Sequence, residues 1–316
     1  MLKFFIISLL CYLSSYNLGW SQLGCTDTIA KNYNPSTPKN DGNSNYKKQK
    51  IKHFTSVILS DTLRETSGLV EWENQLYTYN DNHDLHLYQL DKKGIILKSI
   101  KLNGIQNKDW EAIAQDETHF YLGDIGNNVS GNRTDLCIYK IEKKSLFDNP
   151  IIEKIAFSYA NQTDFREQKK NKTDFDGEAI VVTQDAILIF TKQWKSKKSA
   201  VYRLPKIAGT HQAGLITTLS VKGLITGATF VANQNLIVLC GYSKKLQPFL
   251  YFISNFTDFT FQNTNQRKIK LKLPFHQIEG VSTTNGKDFY LTNEKISHRL
   301  IGTIPAQLHY FSLEQN

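Results

Sequence analysis

Asp109-Trp110-Glu111-Ala112-Ile113 and Asp176-Gly177-Glu178-Ala179-Ile180 are two copies of one phrase: an acid, then a glutamate beside a small residue, then the start of an apolar run. Looser copies are Glu65-Thr66-Ser67-Gly68-Leu69, Ile225-Thr226-Gly227-Ala228-Thr229 and Ile278-Glu279-Gly280-Val281. Internal repeats spaced at roughly 40 to 50 residues are the mark of propeller blades. A second short run follows each opening: Leu76 to Tyr79, Phe120 to Gly123, Ile187 to Thr191, Leu236 to Cys240, and Phe289 to Thr292. A third follows at Leu85 to Leu90, Leu136 to Ile141, Ala200 to Leu204, Phe249 to Ile253, and Leu308 to Leu313. Alternation of apolar and polar residues within these runs is the period of half-buried strands.

Four repeats carry a fourth run, such as Ile96 to Leu102 or Ile155 to Tyr159, while the fifth stops at Leu313. The missing run is available in Ile51 to Leu59. An N-terminal strand that completes the last blade removes an open sheet edge. The expected fold is therefore all-β: a five-bladed β-propeller over residues 51–316, closed by an N-terminal strand. The polar stretch from Asn161 to Thr173 reads as a loop at one mouth.

Residues 1–22 have the layout of a secretory signal peptide: Lys3, an apolar stretch from Phe4 to Leu13, and Trp20-Ser21-Gln22 at the exit. That stretch is shorter than the ~20 apolar residues a bilayer span needs. A secreted or periplasmic protein without stable membrane insertion is expected. Residues 23–50 read as a polar linker holding a degenerate acidic loop motif, Gly24-Cys25-Thr26-Asp27 through Asp41-Gly42. In that motif a second cysteine closes the loop, and Asn43-Ser44-Asn45 stands in its place. Cys137 and Cys240 lie within apolar runs and read as core thiols. The net charge of +9 comes from lysines scattered in small groups, such as Lys195, Lys197 and Lys198. They form no basic helical stripe and no recognition module, so nucleic acid is not an expected partner. A monomer is expected.

Inner strands line the axis of a propeller, so Ser67, Glu111, Glu178, Thr226 and Glu279 should converge there. At ~4 Å and an effective dielectric of ~20, each carboxylate pair costs about 4 kcal/mol. Raised pKa values, trapped water or a bound cation would offset this. Oxygen ligands without His or Cys suit calcium among the cations.

The order Ser67-Gly68-Leu69, Trp110-Glu111, Gly177-Glu178, Thr226-Gly227 and Glu279-Gly280 resembles the calcium-activated nucleotidase (apyrase) family. Tyr77-Thr78-Tyr79-Asn80-Asp81 and Tyr121-Leu122-Gly123-Asp124 are similar to it as well. The resemblance implies a five-bladed propeller with calcium in its tunnel. The family's Asp-Asp-Arg segment corresponds to Asn80-Asp81-Asn82-His83 here, without the arginine. In texture the chain also resembles a group of exported bacterial β-propellers sharing Asp109 to Glu111, Gly123 to Asn128 and Asn132 to Leu136.

Residues that end the second runs should gather at the same mouth as the ring: Asn80, Asp81, Asp124, Lys192, Tyr242, Asn293 and Glu294. His83, Arg133, Trp194 and Arg299 lie in adjacent loops. Loops above a rigid scaffold commonly carry function. Lys192, Arg133 and Arg299 suit a small anionic ligand, and Asp81 or Asp124 a general base. Asp and Asn are also ordinary turn residues. Two functions are expected: an exported, calcium-stabilised propeller that binds a ligand or extracellular partner, or a calcium-dependent phosphohydrolase acting on a phosphate ester.

Overall fold

The computed structural model describes residues 23 to 315 except 53, 82, 257, 258, 260, 300 and 301; the expected signal peptide lies outside the described residues. The chain divides into two compact units, at Lys47 and Lys48. Among the described residues, no helix is long and apolar enough to cross a membrane.

The smaller unit is a hydrogen-bonded loop rather than an open linker. Leu23–Gly24 pairs in parallel with Lys39–Asn40. Lys31 N donates to Asn45 O at 2.7 Å, and Asn45 N to Asn32 Oδ1 at 2.7 Å. Cys25 is buried, and its Sγ lies 3.0 Å from Ser44 Oγ. A hydrogen bond thus sits where the motif's second cysteine would form a disulfide.

The larger unit is all-β. Its first sheet runs Val70–Trp72, Gln75–Thr78, His86–Leu90 and Ile96–Lys101. The second runs Trp110–Gln115, His119–Asp124, Cys137–Glu142 and Ile152–Tyr159. The third runs Gly177–Val182, Ile187–Thr191, Ser199–Leu204 and Gly209–Leu219. The fourth runs Leu224–Val231, Leu236–Tyr242, Pro248–Ser254 and Asn265–Leu271. The fifth has Ile278–Ser282, Asp288–Asn293 and Gln307–Ser312, with Thr55–Ile58 as its outer strand. The run expected as one closing strand, Ile51 to Leu59, is divided. Lys50–Ile51 pairs in parallel with Asn265–Leu271, and Thr55–Ile58 pairs antiparallel with Gln307–Ser312. The second and third sheets also join, because Gly209–Leu219 extends to pair in parallel with Ile152–Tyr159.

Apolar layers fill the spaces between successive sheets. Tyr77 and Tyr79 pack with Trp110 and Phe120, and Ile125 and Tyr121 with Ile180 and Ile189. Phe190 and Val181 meet Ile225 and Leu239, and Val238 and Leu250 meet Phe289 and Leu291. The fifth layer returns to the beginning: Leu308 and Ala306 pack with Leu69, Leu76 and Leu90. Removing apolar surface from water is worth about 25 cal/mol per Å², and here it packs successive sheets against one another.

Candidate functional site

Each ring residue sits on a β-bulge. In the second sheet the pairing passes from Gly123↔Ala112 to Asp124↔Trp110, leaving Glu111 as the extra residue. Glu178, Thr226 and Glu279 are extra in the same way, between Gly177 and Ala179, Ile225 and Gly227, and Ile278 and Gly280. In the first sheet Thr66 bridges Asn80 while Val70 pairs with Tyr77, so that strand also carries one residue too many around Ser67. A bulge re-aims a side chain out of the strand's alternation. Five such bulges take five polar residues out of the alternation of their strands.

Small residues follow the bulges because the strands converge. A Cβ on Gly227 would lie 2.5 Å from Glu279 O, and one on Gly280 would lie 2.3 Å from Thr292 Oγ1. At this level the space lined by Ser67, Glu111 and Glu279 is about 10 Å³, roughly the room one water needs. The ring therefore sits in a pinched channel, and all five of its residues are buried.

Lys192 supplies the positive charge. It ends the second strand of the third sheet, is itself buried, and its Nζ lies 3.0 Å from the Glu178 carboxylate. Trp194 and Tyr242 present ring faces to it at 4.9 and 5.5 Å. Burial disfavours the ammonium, but Glu178, Tyr242, Glu279 and Glu111 together hold its pKa above the ordinary lysine value. Burial also pushes the ring glutamates upward: Glu279 to about 8, and Glu111 well above its usual range, with Asp109 adding to the effect on Glu111. Ser67 Oγ donates to Glu111 Oε2 at 3.2 Å. Thr226 Oγ1 turns away and donates to Ile278 O at 2.5 Å. Glu279 Oε2 has no hydrogen-bond partner among the described residues.

Part of this set is committed within the fold. Among the described residues no three His, Cys, Asp or Glu side chains are grouped to hold a metal. Calcium takes 6–8 oxygens; here Lys192 donates to Glu178 Oε2 and Thr226 to a backbone carbonyl, while Glu178 Oε1 and Glu279 Oε2 accept no hydrogen bond among the described residues. The Lys192 ammonium and proton uptake by buried carboxyls offset part of the repulsion.

The mouth above the ring holds further buried pairs. Asp124 accepts from Lys108 N at 3.3 Å, Asp109 N at 3.2 Å and Arg133 Nη2 at 2.8 Å. Arg133 also donates to Asp135 Oδ1 and Gly126 O. Trp194 Nε1 donates to Asp176 Oδ2 at 2.7 Å, and Asn127 N donates to Asp176 Oδ1 at 2.6 Å. Asp109 and Asp176 belong to this network although the sequence reading did not name them as site residues. Their constant offset of two positions before Glu111 and Glu178 was the available signal. Burial, with Asp176 nearby, pushes Asp109 up to about 6.

The remaining expected residues divide: Asp81 and Glu294 lie close enough to the ring to act electrostatically on Glu279, while His83 and Arg299 are exposed. Asn80 is buried and joins Thr62 O, Asp84 Oδ2 and Glu65 N. Asp81 exchanges backbone bonds with Glu65 and Trp110. His83 is an exposed turn residue with φ 59°. Asn293 is buried and donates to Glu294 O and Pro305 O. Glu294 pairs with Gln277, and burial lifts it to about 7. Arg299 is exposed and directly follows Ile296–His298, between the paired strands Ile296–His298 and Gly302–Ile304. Arg133 and Lys192, expected to seize an anion, are thus committed to partners inside the fold.

The roomier cavity lies at the opposite ends of the inner strands. It measures about 370 Å³ and draws its lining from all five sheets, including Glu71, Gln115, Val182, Thr229, Phe230 and Thr283. Its acid is neutralised, since Lys92 Nζ lies 2.6 Å from Glu71 Oε1. The sequence signal was slight: polar residues such as Gln115 and Ser282-Thr283-Thr284 where apolar inner strands end.

No protein-family model matches the chain, and no curated protein matches it. Solved structures do. A streptogramin B lyase is 8% identical, with 81% of this chain and 97% of that chain covered and a TM-score of 0.40. Virginiamycin B lyase from Staphylococcus aureus is 10% identical, with 83% and 99% covered and a TM-score of 0.41. A luciferin-regenerating enzyme is 10% identical, with 81% and 95% covered and a TM-score of 0.41.

Proposed function

We propose that this chain is an exported five-bladed β-propeller that binds a ligand at one mouth of its channel without turning it over. The five sheets and their closed cycle of apolar layers support the blade count. The observation that carries ligand binding is the cavity of about 370 Å³ framed by the ends of all five inner strands. Its lining mixes amide and hydroxyl groups of Gln115, Thr229, Asn233 and Thr283 with the Phe230 ring. Its one carboxylate, Glu71, is paired. A neutral, hydroxyl-rich ligand such as an oligosaccharide suits that chemistry better than an anion, since few convergent polar groups on an apolar wall are the usual means of recognition.

The test is thermal unfolding against a panel of neutral oligosaccharides. A ligand binding only the folded state at ~100 times its dissociation constant adds about 2.7 kcal/mol. A rise in melting temperature for the unmodified protein, absent in Ala114→Trp, is the expected result. No rise with any member of the panel removes this reading.

The buried, unpartnered Glu279 Oε2 favours a second reading, the calcium-dependent phosphohydrolase with the apyrase family's tunnel ion. Against it stands Asp124, whose carboxylate is occupied by Arg133 and two backbone amides and is not free to take a proton from water. The expected outcome is no phosphate release from nucleoside diphosphates with calcium present, and the same melting temperature in calcium and in chelator. Calcium-dependent release abolished by Asp124→Ala would reverse the order of the two readings.

A further inference from the structure

A groove of about 600 Å³ opens between the third and fourth sheets, at the ring end of their strands. It is built by three turns that the strand register brings side by side. Ser196, Lys197 and Lys198 precede Ser199–Leu204; Ser220, Lys222 and Gly223 follow Gly209–Leu219; Ser243, Lys244 and Lys245 precede Pro248–Ser254. Ser199 pairs with Leu219, and Tyr242 with both Leu224 and Pro248, so these turns share one end.

Five lysines thus line one concavity, chiefly through their aliphatic stems, and no acid lines it. Lys198, Lys222, Lys244 and Lys245 are exposed. None of the five enters an ion pair among the described residues, although Lys108, Lys140, Lys206 and Lys287 do elsewhere on the fold. Burial and the neighbouring Lys244 lower the pKa of Lys197. Lys197 and Lys222 also hold left-handed backbone, with φ of 58° and 52°. Non-glycine residues in that region are strained and cluster at functional sites. The turns keep like charges together; Lys197 Nζ donates to Trp194 O and feels Asp174, while the other four lysines enter no ion pair among the described residues.

We propose that this groove binds a linear polyanionic polysaccharide, its sulfate or carboxylate groups paired with Lys197, Lys198, Lys222, Lys244 and Lys245. Ammonium groups meet anions as point charges without demanding bidentate geometry. Ser196, Ser220 and Ser243 add hydroxyls along the same lining, suited to sugar hydroxyls. Single-stranded nucleic acid is the poorer occupant, because no aromatic side chain lines the groove for bases to stack on. A planar membrane surface is poorer as well, because the lysines line a concavity.

The experiment measures binding of the mature chain to dextran sulfate, with dextran, oligothymidylate and anionic phospholipid vesicles as comparisons. Dextran sulfate should bind, dextran should not, and added salt should weaken binding. The variant Lys197→Gln/Lys244→Gln/Lys245→Gln should lose about tenfold or more in affinity, each exposed charge pair contributing modestly. The variant Lys93→Gln/Lys101→Gln/Lys154→Gln removes the same charge from exposed outer positions and should bind like the unmodified protein. Matching melting temperatures establish that both variants fold. Equal loss in both, no binding of dextran sulfate, or tighter binding of oligothymidylate or vesicles would each overturn the proposal.

Discussion

Lys192 is the residue on which the ring depends. Removing one partner of a buried ion pair costs about 3–5 kcal/mol, because the other charge stays in a low dielectric. Lys192→Met should therefore lower stability by about that amount in urea unfolding, and adding Glu178→Leu should recover much of it. An undiminished Lys192→Met protein would show that the pair contributes nothing. Protonation sets a second expectation. Burial raises Glu279 to about 8 and Glu294 to about 7 from ordinary glutamate values. A carboxyl raised in the folded state contributes stability that is complete below the unfolded pKa and is lost as pH rises through the folded one. Stability should thus decline from about pH 5 to pH 8, at roughly 1 kcal/mol per pH unit per group. Glu279→Gln should flatten that decline. His309 acts in the opposite sense: burial, with His276 adjacent, holds it down to about 3, so its contribution is lost as pH falls below the usual histidine range. Ser44 offers a third measurement. With Cys25 Sγ at 3.0 Å from its Oγ, Ser44→Cys should oxidise spontaneously. Closing a ~20-residue loop this way stabilises a fold by about 3 kcal/mol. A Cys25 that still reacts with thiol reagents after denaturation would count against it.

At the scale of elements, the closing strand and the bulges do separate jobs. Thr55–Ile58 is held by backbone pairing and by a relay through the buried His309. Ser56 Oγ lies 2.7 Å from His309 Nδ1, and His309 Nε2 lies 2.8 Å from Asn293 Oδ1. The Asn293 amide nitrogen already donates to Glu294 O and Pro305 O. Its oxygen therefore accepts from His309 Nε2–H, which leaves Nδ1 to accept from the Ser56 hydroxyl. Leaving a buried polar group unpaired costs about 1–3 kcal/mol, so His309→Leu should lower the melting temperature measurably. A chain beginning at Asp61 would expose the edge of Gln307–Ser312, and exposed edges pair with other chains. That truncation should elute as aggregate in size-exclusion chromatography; a monodisperse peak would show the strand to be dispensable. The bulges explain why polar residues tolerate the axis. An unbulged strand would keep Glu111 in the ordinary alternation with Trp110 and Ala112, whereas the extra residue frees it to turn inward.

At the scale of the whole molecule, the repeat made the architecture legible. Strand content and the all-β, propeller-like architecture follow from alternation and spacing, which are local properties of neighbouring residues, whereas the division of Ile51 to Leu59 between two sheets does not. Convergence of Ser67, Glu111, Glu178, Thr226 and Glu279 was legible for the same reason: equivalent positions in equivalent repeats meet at the axis. Their charge balance was not. Lys192 lies well along the chain from Glu111 and Glu279, and only packing brings its ammonium into their field. The sequence suggested an imported cation; the fold also places the Lys192 ammonium beside Glu178. Arg133 likewise looked free in sequence and is bound to Asp124 and Asp135. The cavity at the opposite mouth and the lysine groove depend on how strand ends from different sheets are juxtaposed. Periodicity determines which residues form strands and which way they face. The volume left between strands, and the partner each charge finds there, are set by contacts distant in sequence, and those only the tertiary structure decides.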